Sequence, residues 1–167
     1  MAIDTIINHI PNYFDRLSQE ICNLIESEES LISKNSNKHF VRFIPKAWNT
    51  IGNRRGIELG ENSCFILCEI VITNKKWTFK IIGCNPEETW ANDLRKLRPE
   101  DTKDSSYKKF PVIYRSKFTH HRREEPNSNN LQKIAYDYLD WIKKELGSES
   151  FKKMNEKIIG FLPKLEV

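Results

Sequence analysis

Two consecutive hydrophobic runs between positions 63 and 83 constrain the fold of this chain more than any other feature. The first run is SCFILCEIVI, the second is KWTFKII, and the polar residues 73–75 separate them. β-branched and aromatic residues dominate both runs, and such side chains suit a pleated, half-buried surface. The short polar separation predicts an antiparallel hairpin. Because the first run is apolar on both faces, we expect this hairpin to lie at the centre of its sheet.

Two shorter alternating runs flank the hairpin in sequence. HFVRFIP occupies residues 39–45, and FPVIYRSKFTH occupies residues 110–120. In the second run Arg115 and Lys117 fall on one side of the alternation, which predicts a strand with a basic face. With the hairpin, these runs predict a small antiparallel sheet of three to four strands.

The N-terminal residues predict a helix with a regular apolar stripe. The spacing alternates between four and three residues, which is typical of a coiled-coil heptad, and the stripe comprises Ile3, Ile7, Ile10, Phe14, Leu17, Ile21 and Leu24. Pro11 interrupts the pattern, so it either kinks the helix or precedes a shorter one that begins near Asn12. The partner of the stripe is either the chain's own sheet and C-terminal helices or a second chain. Residues 26–38 are polar and are predicted to be a linker.

Three further helices are predicted from capping residues and apolar stripes. One spans about residues 85–98, from Asn85 to the residue before Pro99; a second follows Asn130 and ends at Gly147; a third begins at Ser148 or Ser150 and ends near Pro163. The predicted fold class is therefore α+β, with N-terminal, middle and C-terminal helices packed on the sheet. We expect one domain over 1–167, with an amphipathic helix in 1–30 and an α+β body in 39–167.

The lengths of the apolar runs and the number of cysteines restrict the cellular setting. No run approaches 18 apolar residues, and the first residues lack the basic and small-residue pattern of a secretory signal. Four cysteines in 167 residues are too few for a disulfide framework, and Cys64 and Cys68 fall on one face of a predicted strand. We therefore expect a cytoplasmic protein with no membrane partner.

The net charge of +4 is small, but its distribution is uneven. Residues 95–123 are rich in basic side chains, whereas the first thirty residues lean acidic. Such asymmetry indicates a polyanionic partner, DNA or RNA, held by phosphate contacts. The alternative is an ordinary solvated face of a lysine-rich protein. The candidate nucleic-acid contacts are Arg95, Arg98, Arg115, Lys117, Arg122 and Arg123.

The sequence contains none of the common catalytic motifs in a suitable position. There is no serine-hydrolase, zinc-protease, C-x-x-C or phosphate-loop motif, and Asp101-Thr102-Lys103 matches a nuclease string only within a predicted loop. His120 and His121 lack neighbours at metal-ligand spacing and are interpreted as solvated loop histidines. We therefore assign no catalytic residue, metal ligand or cofactor. A diverged Mg²⁺-dependent nuclease using Glu58, Glu69 and Lys80 is kept as an alternative.

The order of elements resembles a known family. HFVRFIPKAW, at residues 39–48, is similar to an aromatic-x-F-x-P-x-x-W segment in the C-terminal part of a bacterial family in the PD-(D/E)XK nuclease superfamily. The resemblance continues through ILCEIVI, a strand ending in Ile-Gly, a helix with Arg95 and Arg98, a basic strand, and a helix pair ending in FLPKLE. The catalytic half of that family has no counterpart here.

The resemblance implies a non-catalytic accessory domain of a nuclease-like system, in a restriction or phage-defence setting, that binds nucleic acid. The alternative of a different class is a protein-interaction module that forms a homodimer, or binds a partner chain, through the helix of residues 3–24. The first hypothesis predicts that the basic strand contacts nucleic acid, whereas the second predicts that the N-terminal stripe mediates assembly.

Overall fold

The computed structural model describes residues 12–34, 36–48, 66–83, 96–97, 112–116 and 120–161. The described elements are α1 (Tyr13–Glu26), β1 (Leu31–Ser33), β2 (Phe40–Pro45), β3 (Ile66–Val71), β4 (Lys76–Gly83), β5 (Val112–Arg115), β6 (His120–His121), α2 (Leu131–Leu146) and α3 (Glu149–Phe161). Helices and an antiparallel sheet confirm the predicted α+β class.

The predicted central hairpin is present as β3 and β4. The two strands pair antiparallel, with Cys68 opposite Ile81 and Ile70 opposite Phe79. The sheet order is β1-β2-β3-β4-β5, and β6 also pairs with β4. The hairpin therefore lies in the middle of the sheet, as its apolar character on both faces predicts.

The described ranges contain six strands of the sheet, so the predicted count of three to four was too low. β1 lies inside residues 26–38, which were predicted to be a linker, and β6 holds two histidines that were predicted to be in a loop. These strands are three and two residues long. Runs this short cannot display a period-two pattern. Their conformation is fixed by hydrogen bonds to β2 and β4 rather than by local preference.

One face of the sheet packs against the C-terminal helices. Trp77, Phe79 and Ile81 alternate along β4 and are all buried. The Trp77 ring stacks on Tyr138 of α2 with 3.9 Å between centroids, and Phe79 meets Phe151 of α3 edge to face at 5.9 Å. We call this the helix-packed face.

Helix α1 begins at Tyr13, so the described part of the chain agrees with the shorter of the two predicted N-terminal helices. The Asn12 side chain caps it, because its Oδ1 accepts a hydrogen bond from the Phe14 amide at 3.1 Å. Ile3, Ile7 and Ile10 of the predicted stripe lie outside the described residues.

The described part of the stripe packs within the chain. Leu17 and Ile21 have no exposed surface, and Phe14 and Leu24 are partly buried against the same core. Helix α1 lies against α2 and the first two strands. The chain's own elements are therefore the partner of these residues, whereas assembly with a second chain stays a prediction.

The C-terminal helices follow the sequence prediction with one correction. Gly147 ends α2, and the Ser148 hydroxyl accepts from the Phe151 amide at the start of α3. Asn130 precedes α2 but does not cap it through its side chain. Instead its Oδ1 accepts from the Asn127 amide at 2.7 Å and stabilises the preceding turn.

Most of the predicted middle helix, residues 85–98, lies outside the described residues, as does the Asp101-Thr102-Lys103 string. None of the helices in the described ranges combines the length and the apolar character that crossing a membrane requires.

Packing of α1 inside the chain predicts the effect of truncating it. Leu17→Ala should lower the free energy of unfolding by about 3 kcal/mol, because the cavity it leaves is fully enclosed. Urea denaturation followed by circular dichroism measures this. Gln19→Ala, at an exposed position of the same helix, is the control and should change stability by less than about 0.5 kcal/mol. A Leu17→Ala penalty that shrank with dilution would instead show that this position stabilises an oligomer.

Candidate functional site

A row of charged residues crosses the sheet on the face opposite α2 and α3. The register places Arg42 of β2 opposite Glu69 of β3, Glu69 opposite Lys80 of β4, and Lys80 opposite Arg115 of β5. Directly paired residues share one face of a sheet. The four side chains therefore form one line over four adjacent strands, pointing away from Trp77 and Phe79.

The single carboxylate of this row is already paired. Arg42 Nε donates to Glu69 Oε2 at 2.9 Å, and the side chains are 29% and 8% exposed. The Arg42 guanidinium also lies 5.0 Å from the centre of the Phe40 ring. Arg42 therefore supplies a direct charge-assisted partner for Glu69, and the row contains three cations and one carboxylate.

Strand β4 contributes one more cation to the same face. Lys76 is exposed and shares the alternation of Lys80, and the register places it opposite His121. We call Arg42, Lys76, Lys80 and Arg115 the cationic face. Within the described residues of β2 to β5, Glu69 is the one acidic side chain on this face.

The structure separates the predicted nucleic-acid contacts. Arg115 is exposed on the cationic face, Arg123 is exposed beside α2, and Arg122 is buried. Arg95, Arg98 and Lys117 lie outside the described residues. Sequence reasoning missed Arg42 and Lys76 and considered Lys80 only for the nuclease alternative, because their approach to Arg115 depends on strand order and register. The alternation in β2 and β4 was visible, but it could not show which strands are neighbours.

Arg122 cannot serve as a surface phosphate contact in this fold. Its side chain is 2% exposed, its Nη1 donates to the Ile72 carbonyl at 2.6 Å, and its Nε donates to the Glu124 carbonyl at 2.9 Å. Its Nη2 also approaches a Glu125 carboxylate oxygen at 3.3 Å. The assignment of Arg122 to nucleic-acid binding is therefore corrected: its guanidinium is engaged inside the chain.

The same guanidinium connects several elements. It lies 5.1 Å from the centre of the Phe14 ring in α1 and within 3.5 Å of the Tyr138 hydroxyl in α2. Burial raises the pKa of Tyr138 to about 12, and the positive charge of Arg122 opposes that rise. Arg122 thus holds the segment after β6 against both helices.

A groove of about 430 Å³ opens between residues 120–124 and α2. Its walls carry three exposed cations, three exposed carboxylates and two tryptophans. The lining residues are Trp77, His120, His121, Arg122, Arg123, Glu124, Lys133, Ile134, Asp137, Asp140, Trp141 and Lys144. We call this the α2 groove.

Aromatic rings line the α2 groove. The His120 ring lies 4.4 Å from Trp77, and Trp77 in turn meets Trp141 edge to face at 5.4 Å. Trp141 is 6% exposed, and its buried Nε1 has no hydrogen-bond partner among the described residues. A buried donor without an acceptor costs about 1–3 kcal/mol.

Neither location provides a metal centre in the described part of the chain. No group of three or more His, Cys, Asp or Glu side chains comes together there. Glu69 and Lys80 are brought side by side, but Glu58 lies outside the described residues. The alternative of a metal-dependent nuclease stays a prediction.

A buried carboxylate lies near the end of α2. Glu145 is 3% exposed; its Oε1 accepts from the Ser116 hydroxyl at 2.7 Å, and its Oε2 has no partner among the described residues. Burial raises the pKa of Glu145, and the hydrogen bond from Ser116 opposes the rise.

Comparison with protein-family models, with curated proteins and with solved structures found no match to this chain.

The role of Arg122 as an internal connector predicts a stability effect. Arg122→Ala should lower the free energy of unfolding by about 3 kcal/mol, because it leaves the Ile72 carbonyl without a strong donor and removes packing under α1. Urea denaturation measures the change. Arg123→Ala, at the exposed neighbouring position, should change stability by less than about 0.5 kcal/mol. Equal effects of the two substitutions would contradict this role.

The raised pKa of Glu145 predicts a pH dependence with a definite sign. An acid whose folded-state pKa exceeds its unfolded value binds more protons in the folded state, so stability falls as pH rises from the ordinary glutamate pKa of 4.5 through the folded pKa. Glu145→Gln should therefore raise stability at neutral pH and remove this part of the pH dependence. Denaturation at pH values below and above that window tests it. Glu149→Gln, at an exposed position, is the control.

Proposed function

We propose that this protein binds nucleic acid through the cationic face of its sheet. The observation that carries the proposal is the placement of Arg42, Lys76, Lys80 and Arg115 on one face beside a single, already paired carboxylate. Phosphate groups along a nucleic-acid backbone repeat at short intervals, and a row of cations can meet several at once. Such contacts position a strand without reading its bases.

Exposure supports this use of the face. Lys76 and Arg115 are exposed, Lys80 is half-buried, and Arg42 keeps part of its guanidinium accessible while it holds Glu69. The Phe40 ring, half-buried beside Arg42, adds an aromatic surface on which a base could stack. A single strand, whose bases are free to stack, suits this combination better than a duplex.

The proposal extends to the kind of system in which the protein acts. The resemblance of residues 39–48 and of the following elements to a PD-(D/E)XK nuclease family supports an accessory, non-catalytic role in a cytoplasmic restriction or phage-defence system. In such a role the cationic face would hold the nucleic acid while another polypeptide cuts it. The residue resemblance is the support for this context.

Charge reversal on the cationic face tests the proposal. Lys76→Glu combined with Arg115→Glu should weaken binding of a labelled single-stranded oligonucleotide at low salt by tenfold or more, because two attractive charges become repulsive. Fluorescence anisotropy with DNA and with RNA, at about 50 mM and about 200 mM salt, measures affinity and its salt dependence. The unaltered protein should lose affinity between these concentrations.

The matched control changes charge equally but elsewhere. Lys153→Glu combined with Lys157→Glu alters two exposed positions of α3, a helix on the other side of the sheet. This variant should keep most of the affinity. Equal losses in both variants would indicate only a general effect of net charge, and no binding by the unaltered protein at low salt would refute the proposal.

One observation favours a second candidate, the diverged Mg²⁺-dependent nuclease. Glu69 and Lys80 are direct cross-strand neighbours, which places a potential metal ligand beside a cation that could stabilise developing charge. Arg42 occupies Glu69 Oε2, however, so a metal ion would have to compete with it. Mg²⁺-dependent cleavage by the unaltered protein that Glu69→Gln abolishes would establish this activity.

A further inference from the structure

We infer that His121 is a further phosphate contact of the cationic face and that it makes nucleic-acid binding there dependent on pH. This inference rests on the proposed function, because it adds a titrating group to the surface that would hold the nucleic acid. It also assigns a use to β6, a strand of two exposed histidines.

Strand register places His121 on the cationic face. His121 is paired with Lys76 of β4, and directly paired residues share one face of a sheet. The preceding residue, His120, is paired with Trp77, and the centres of their rings are 4.4 Å apart on the helix-packed face. Adjacent strand residues point to opposite faces, so the two histidines lie on opposite sides of the sheet. Of the two, His121 is the one that can meet a ligand on the cationic face.

The backbone next to His121 is fixed, whereas its side chain is exposed. The Arg122 amide donates to the Lys75 carbonyl at 2.7 Å, directly beside the pair of His121 and Lys76. The Arg122 guanidinium is buried and donates to the Ile72 carbonyl at 2.6 Å. A contact residue on a backbone that is already ordered loses little conformational entropy when a ligand binds.

The position of His121 extends the cationic face along β4. Lys80 is opposite Arg115, and Lys76, four residues earlier in the strand, is opposite His121. At about 3.4 Å per strand residue, the two pairs are about 14 Å apart. A nucleic-acid strand that runs along β4 from Arg115 would therefore reach His121 and Lys76 together.

The carboxylates of the segment after β6 have partners of their own. Glu124 Oε2 accepts from Asn130 Nδ2 at 3.1 Å. Glu125 holds Arg122 Nη2 at 3.3 Å and lies 3.9 Å from Lys75 Nζ. The other charged groups near β6 are Lys76 on β4, Arg123 in the same segment, and Lys133, Asp137, Asp140 and Lys144 of α2 at the groove. In the described ranges none of these carboxylates forms an ion pair with His121, so its ring is accessible to an anion from outside.

The charge of the imidazole decides how strongly His121 attracts a phosphate. Imidazole side chains change from neutral to positively charged as pH falls from about 8 to about 5. When His121 is protonated, it and Lys76 offer two positive charges to one phosphate, and the phosphate offsets the repulsion between them. Proton uptake and phosphate binding therefore strengthen each other.

The test measures binding of a labelled oligothymidylate to the full chain, since thymine does not titrate in this pH range. Fluorescence anisotropy at low salt, at about pH 8 and about pH 5.5, gives the affinity on both sides of the imidazole transition. The unaltered protein should bind about threefold more tightly, or better, at the lower pH. His121→Gln should show the weaker affinity at both pH values, and His121→Lys, which keeps a positive charge, should show the tighter affinity at both.

His120→Gln is the matched control, because it removes an exposed imidazole from the neighbouring position on the opposite face. This variant should keep the pH dependence of the unaltered protein. Glu145, whose pKa is raised by burial, is present in all these variants, so its titration contributes equally to each. A pH dependence that survives His121→Gln, or one that His120→Gln removes, would overturn the inference.

The inference and the proposed function can fail separately. Equal affinity of the unaltered protein at both pH values would remove His121 from the site and leave the cationic face in place. Absence of oligonucleotide binding at either pH would remove both. Retention of pH-dependent binding by the variant with Lys76→Glu and Arg115→Glu would also remove both, because the nucleic acid would then be held elsewhere.

Discussion

The alternation of side chains along β4 is the constraint on which the rest of the structure depends. Trp77, Phe79 and Ile81 point to one face and are buried under α2 and α3, which commits the intervening residues to the other face. Lys80 is one of those residues, and Lys76, which precedes Trp77, falls on the same face. A register shift of one residue would bury these lysines and expose the aromatic rings, so the core that stabilises the sheet also creates the cationic face.

Arg122 shows how the segment after β6 is held without a large apolar surface of its own. Two backbone carbonyls, a carboxylate and the Tyr138 hydroxyl surround its guanidinium, and the Phe14 ring lies against it. A buried charge is tolerable when its donors are used in this way. Because Arg122 fixes the segment against α1 and α2, its neighbours His120 and Arg123 line the α2 groove.

The parts of the fold that could be predicted from sequence are those with strong local periodicity. The hairpin of β3 and β4 and the stripe of α1 each repeat a pattern over several strand residues or several helical turns. The C-terminal end of α2 was predicted from Gly147. β1 and β6 could not be predicted, because three and two residues carry no period and their hydrogen bonds are made to distant strands. Arg122 was misassigned for a related reason. A charged residue such as Arg122 is expected at the surface from the sequence alone. The carbonyl groups that make its burial favourable come together only in the three-dimensional structure.

The candidate site illustrates the same limit in a different form. Arg115 was identified from the basic run around it, whereas Arg42 lies more than seventy residues earlier in the chain and reaches the same face only through the order β2-β3-β4-β5. Glu69 stands between them in that order and pairs with Arg42. Without that pair, Glu69 would attract Lys80 and reduce the positive potential next to Arg115. The arginine on β2 therefore influences the electrostatic potential at β5 through a carboxylate that lies between them, which is a relation of sheet topology rather than of sequence.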